Sequence, residues 1–172
     1  MSIDPGLLPY RSCVGLFILN REGQVWVGRR VGASGQDGLG NWWQMPQGGI
    51  DQGEEPAIAA MRELNEETGI HRARIIAESH TWYPYDLPPN LIGRVWGGRF
   101  RGQMQKWFAL AFEGEDSEID INPRSHSPEF DRWRWASVED LPQLVVPFKR
   151  DVYDKVLDEF RSLALDIQRA GR

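Results

Sequence analysis

The segment from Gly48 to Ile70 constrains this chain more than any other. Asp51–Glu55 is polar and acidic, and Pro56 stands where the first turn of a helix tolerates a residue without an N–H. Ala57–Thr68 is strongly helical in composition and is followed at once by Gly69, a good helix terminator. The pattern predicts one short helix between two glycine-bearing loops. Within it Glu63, Glu66 and Glu67 stand at i, i+3 and i+4, so they share one face. Three like charges so close repel one another. A solvated acidic surface is one way to bear that repulsion. A hard divalent cation is the other, because carboxylate oxygens suit Mg²⁺, which keeps some waters for substrate phosphates. Glu54 precedes the helix and can reach the same end, and Arg62 is flanked by carboxylates that it can grip in bidentate fashion.

The rest of the chain reads as strands and one more helix. Cys13–Asn20 is an apolar run, Arg21-Glu22-Gly23 a turn, and Gln24–Arg30 an alternating segment, together a β-hairpin. Gly32–Asn41 holds four glycines and is expected to be a mobile loop, and Trp42–Ile50 is expected to be extended. Strands are predicted at Arg74–Trp82, Gly93–Phe100, Gln105–Phe112 and Phe130–Ala136. Tyr83–Pro89, with three prolines, is predicted as a loop, Glu113–Ser127 as acidic and irregular, and Ser137 as the start of a helical turn. Phe148–Gln168 is an amphipathic helix with Val152, Val156, Phe160 and Leu163 on one stripe and Tyr153 and Leu157 beside it. With 172 residues, 41% of them hydrophobic, the expectation is one domain over 1–172, frayed at its ends near 1–8 and 169–172.

Charge narrows the function classes. The net charge is -5, whereas proteins that track long nucleic acid carry a basic excess. Binding along a DNA groove is therefore not expected, and any nucleic-acid contact should be confined to an end. The one cysteine, Cys13, lies in an apolar run and is expected to be a buried core residue, with no internal disulfide. No stretch of about 18 apolar residues predicts a membrane span. A cytoplasmic protein is expected.

The spacing of the acidic helix carries a resemblance. Gly48, five residues, Glu54, seven residues, then Arg62-Glu63-Leu64, Glu66-Glu67 and Gly69-Ile70 fill every fixed position of the Nudix box. Chance would produce such a match with a probability on the order of one in ten million at average residue usage. The chain thus resembles the Nudix hydrolase family. The resemblance implies an α/β fold, an α/β/α sandwich around a central mixed sheet, with the box as a loop–helix–loop. It also implies attack of water on a phosphorus of a nucleoside diphosphate linked to another group, with Mg²⁺ (or Mn²⁺, or another divalent cation) as cofactor.

Flanking segments are similar to one subgroup, the RNA pyrophosphohydrolases and dinucleoside polyphosphate hydrolases: Trp43–Ile50, Gln105-Lys106-Trp107-Phe108, Pro128-Glu129-Phe130-Asp131 with Trp133-Arg134-Trp135, and Phe148–Tyr153. By that resemblance Glu63, Glu66, Glu67 and Glu129 are metal ligands, and Arg62 and Glu54 support them. Arg11, Arg30, Gln103 and Lys149 match positions that hold substrate phosphates, and Val146 and Phe148 match positions against which a base stacks. Lys106 either joins these cations or, with Trp107, is structural. The Gly-rich 32–41 segment and Trp42 depart from the pattern. Three functions follow: an RNA 5′-end pyrophosphohydrolase, a dinucleoside polyphosphate hydrolase of the diadenosine tetraphosphate type, and a Nudix fold kept as a binding module. Binding modules usually lose box carboxylates, and none is lost here. A monomer is slightly favoured.

Overall fold

The computed structural model describes residues 4–31, 42–123 and 126–172. The 32–41 segment expected to be a mobile loop lies outside the described residues. Strand β1 (Tyr10–Leu19) is the spine of an eight-stranded sheet. It is apolar on both faces because both are covered: Val14, Leu16 and Ile18 enter one core cluster, and Phe17 and Leu19 the other. Such two-sided burial is the mark of a central strand. The expected hairpin partner, β2 (Val25–Arg30), meets β1 only at Leu19 and Val25 and then splays away. The gap is occupied by β3 (Trp43–Gln44), which pairs with β2, and by β4 (Gln47–Gly49), which pairs with β1.

The box helix α1 (Pro56–Thr68) begins and ends within a residue of its prediction. Gly69 is left-handed with φ 68°, and its N–H closes on the Asn65 carbonyl. Any Cβ there would also meet the backbone of Asp120 at about 2.8 Å. Beyond it run β5 (Ala73–Glu78), β6 (Tyr83–Asp86) and β7 (Gly102–Phe112). β7 lies parallel to β1 over its whole length, while β5 and β6 pair with it antiparallel, so the sheet is mixed as expected. At the β1–β7 contact Gly15 faces Trp107, whose indole fills the space that any Cβ on residue 15 would need.

β8 (Phe130–Ala136) pairs with β2. The short α2 (Leu141–Leu144) and the long α3 (Arg150–Ala170) complete the chain. α1 packs on one face through Ala59, Ala60 and Leu64. α3 packs on the other through Val152, Tyr153, Val156, Leu157, Phe160 and Ala164. This is the expected α/β/α sandwich.

Three expectations are corrected. Tyr83–Pro89 is not all loop, because Tyr83–Asp86 forms β6; Pro84 is tolerated since β6 pairs on one side only. Gly102 permits that pairing, for a Cβ there would strike the Tyr85 carbonyl. Gly93–Phe100 is not a strand but a turn with a 3-10 segment at Trp96–Gly98, since Gly93, Gly97 and Gly98 all take positive φ. The strand expected over Arg74–Trp82 stops at Glu78.

Candidate active site

Arg62 organises the acidic helix. Its Nε and Nη2 donate to the two Glu54 oxygens at 2.9 and 2.8 Å, and Nη1 donates to Glu63 Oε1 at 2.8 Å and Glu66 Oε2 at 3.3 Å. Nη2 also donates to the Gly49 carbonyl at 2.8 Å. The side chain is only 27% exposed, so these bonds are little diluted by water. Glu54 accepts from the Asp51 N–H as well, and the Arg62 bonds hold its carboxyl down to about 2. The bidentate grip expected of Arg62 is made on Glu54, and its remaining N–H groups reach Glu63 and Glu66.

Glu63 lies under Gly48, and its carboxylate occupies the place a Cβ on residue 48 would take, at about 2.0 Å. Here glycine is required by the carboxylate and not by its own backbone angles. Burial pushes the Glu63 carboxyl up, against the pull of Arg62. Glu67 is half-buried beside it, with its Oε2 shielded from solvent. Burial raises its pKa well above the carboxylate range, and the charges of Glu129, Glu63 and Glu66 add to the rise. Glu129 is brought there by the turn into β8, where its carbonyl accepts from the Val31 N–H and its carboxylate lies 3.7 Å from Arg30 Nε. The structure thus brings the distant Glu129 to the box.

Among the described residues, no three His, Cys, Asp or Glu side chains are arranged to enclose a metal as they stand. Arg62 holds Glu54, Glu63 and part of Glu66 instead. The donor set nonetheless fits a hard cation. Glu67 Oε2 is buried with no hydrogen-bond partner, a costly state unless something else satisfies it. Clustered carboxylates around it supply the oxygen donors that Mg²⁺ or Mn²⁺ takes.

Glu63, Glu66, Glu67 and Glu129 line a cavity of about 410 Å³. Arg11, Arg30, Gln103 and Lys149 line it too, so anionic and cationic groups face one space. Gln103 is buried, and its Oε1 accepts from Gln47 Nε2 at 3.2 Å and Gln105 Nε2 at 2.8 Å. Gln105 is fixed in turn by the Trp107 indole N–H at 3.0 Å. Lys149 is 5% exposed and donates to Gln44 Oε1 at 3.2 Å. Burial, with Arg30 nearby, pushes its ammonium down to about 7.

Phe148 lines the cavity and packs against Tyr85, 5.7 Å between ring centroids. Val146 does not line it but is buried in the core on the α3 side, so the two expected stacking residues separate. Lys106 also stays out. It alternates with Gln103, Gln105 and Trp107 along β7, and its ammonium bonds the Ser79 carbonyl. Residues missed in the sequence include Gln44, Gln47, Tyr85, Leu87, Leu91 and Trp96. The two glutamines sat in a recognised segment, but Trp96 lay in a stretch misread as a strand.

A NUDIX domain matches residues 9–156. An RNA pyrophosphohydrolase of Brucella ovis is 55% identical over 166 residues, 94% of this chain and 93% of that protein. The fold is similar to the dihydroneopterin triphosphate pyrophosphohydrolase of E. coli, at a TM-score of 0.61 and 20% identity over 86% of this chain and 96% of the other. It is also similar to an Ap4A hydrolase of C. elegans, at a TM-score of 0.57 and 17% identity over 87% and 98% of the two chains.

Proposed function

Because this chain belongs to the Nudix hydrolase family, we propose that it hydrolyses the phosphoanhydride bond of a di- or triphosphate at the 5′ end of RNA, leaving a 5′-monophosphate and opening the transcript to decay. The chain is a hydrolase of pyrophosphate bonds, with every box carboxylate in place. One observation carries the reading. The partnerless oxygen of Glu67 belongs to a carboxylate cluster that faces Arg11, Arg30 and Lys149 across one cavity. Carboxylates alone would repel a polyphosphate, and cations alone would bind it without cutting it.

Glu63, Glu66, Glu67 and Glu129 would hold a divalent cation, Mg²⁺ or Mn²⁺. When bound, the cation neutralises phosphate charge and lowers the pKa of the attacking water. The protein's own groups position the substrate. Arg11, Arg30 and Lys149 bind phosphate oxygens, and Arg62 keeps Glu63 and Glu66 aimed at the cavity. The Phe148 ring gives the adjoining base a platform worth about 1–3 kcal/mol. Recognition ends within the first one or two nucleotides, because a net charge of -5 supplies no basic excess to follow the strand further. No helix among the described residues is long and apolar enough to cross a membrane, and a cytoplasmic setting suits an enzyme of RNA ends.

The deciding experiment compares turnover on a short triphosphorylated oligonucleotide and on diadenosine tetraphosphate. Higher kcat/KM on the RNA supports the reading. A clear preference for the dinucleotide would replace it with the dinucleoside polyphosphate hydrolase.

A further inference from the structure

Trp96 has a backbone that its side chain does not favour. It is the one non-glycine residue with positive φ among the described residues, at 51°. For an L-residue that conformation is strained, and such strain gathers at functional sites. The turn is shaped to hold it. Gly97 and Gly98 follow with φ 65° and 71°, the Gly98 N–H closes on the Val95 carbonyl at 3.0 Å, and Gly98 packs against the backbone of Gly93. The result puts the indole in the lining of the catalytic cavity.

There it meets Arg11. The guanidinium carbon of Arg11 is 5.8 Å from the indole centroid. On another side Arg11 runs over the backbone of Gly49, with Nη2 about 2.5 Å from where a Cβ would sit. Among the described residues, no hydrogen bond or salt bridge holds Arg11. Arg62, by contrast, is tied by five hydrogen bonds. Arg11 is therefore a cation in the cavity oriented by an aromatic face and by a missing side chain, with its N–H groups uncommitted.

We propose that Trp96 is a positioning residue. Its indole, held out by the left-handed turn, fixes the Arg11 guanidinium against Gly49 so that its N–H edge is ready for a substrate phosphate oxygen. The proposal rests on the reading of Arg11 as a phosphate contact. An aromatic face suits this task because it attracts the cation without consuming any N–H, whereas a carboxylate would compete with the phosphate. Losing the indole returns Arg11 to many rotamers, and that entropy is then lost at each binding event.

The test is a double-mutant cycle on a short triphosphorylated oligonucleotide, with KM and kcat determined separately. Trp96→Gly removes the indole and relieves the strained φ, so it reports the ring and not a damaged turn. The expected result is a KM raised about three- to tenfold, with kcat within about twofold. Trp96→Phe keeps an aromatic face and should recover most of the loss. In an Arg11→Ala background, Trp96→Gly should have no further effect. Equal effects of Trp96→Gly with and without Arg11 would overturn the proposal and make the indole a platform for substrate itself. A silent Trp96→Gly beside a damaging Arg11→Ala would overturn it while sparing the Arg11 reading. A silent Arg11→Ala would overturn both, leaving the family and the carboxylate site untouched.

Discussion

Replacing Lys149 with methionine should move stability and activity in opposite directions, and the stability change should depend on pH. Lys149 is buried, its ammonium pushed down to about 7, with Gln44 Oε1 as its hydrogen-bond acceptor. An unfolded lysine keeps a pKa of about 10.4. Between those values the unfolded chain binds more protons than the native one, so this lysine makes the native protein more stable as pH rises. Below pH 7 both states carry the proton and the full penalty is present. A gap of somewhat over three pH units, at about 1.4 kcal/mol each, gives a penalty of about 4–5 kcal/mol. Methionine has similar reach and no charge, so the penalty disappears, but Gln44 loses its donor at a cost of about 1–3 kcal/mol. Lys149→Met should therefore be more stable than the wild type by about 2 kcal/mol at pH 6. At pH 9.5 the penalty has fallen to about 1 kcal/mol, and the advantage should vanish or reverse. Urea unfolding followed by tryptophan fluorescence, without metal or substrate, measures both. RNA cleavage should fall at pH 6, where Lys149 is charged and the phosphate loses a cation. A stability difference of the same size at pH 6 and 9.5 would refute the reasoning, since it would mean that no buried charge is relieved.

Glu66→Gln and Glu67→Gln should each lower turnover by orders of magnitude with an unchanged fold by circular dichroism; near-normal rates at saturating Mg²⁺ would remove these residues from the site. Arg62→Met should destabilise the protein toward the lower end of the ~3–5 kcal/mol seen when a buried ion pair loses one partner, read as a shifted urea midpoint. Glu54, held down to about 2 by Arg62, contributes stability above its unfolded pKa of about 4.3, lost as pH falls through the folded value. Glu54→Gln should thus narrow the stability gap to wild type as pH falls from 6 to 3, and a gap constant with pH would contradict the pairing. Phe148→Ala should cost about 1–3 kcal/mol in kcat/KM on RNA while sparing metal affinity, and cleavage should be nearly independent of RNA length; a steep rise with length would point to contacts beyond the end.

Local chemistry was legible in the sequence wherever neighbours in the chain are neighbours in space. The box helix is the clearest case: Pro56 starts it, Gly69 ends it, and the i, i+3, i+4 spacing puts Glu63, Glu66 and Glu67 on one face whatever packs around them. The apolar run in β1 and the stripe on α3 were readable for the same reason. Composition misled where backbone angles and pairing partners decide. Pro84 argued for a loop, yet β6 forms because its other side needs no pairing; Gly93–Phe100 was expected to be a strand, yet three left-handed glycines turn it.

The site divided along the same line. Tertiary structure alone brings Glu129 to Glu67 and Lys149 to Gln44, and it separates Phe148, which faces the cavity, from the buried Val146. It alone sends Lys106 away from Gln103, because successive side chains on β7 leave opposite faces and only pairing with β1 settles which face meets the cavity. Trp96 had no sequence signal, since its strained φ exists only in a turn closed by Gly98 on Val95 and Gly93. Spacing along a helix is a property of the chain, whereas burial, charge proximity and strain are properties of what the fold presses together.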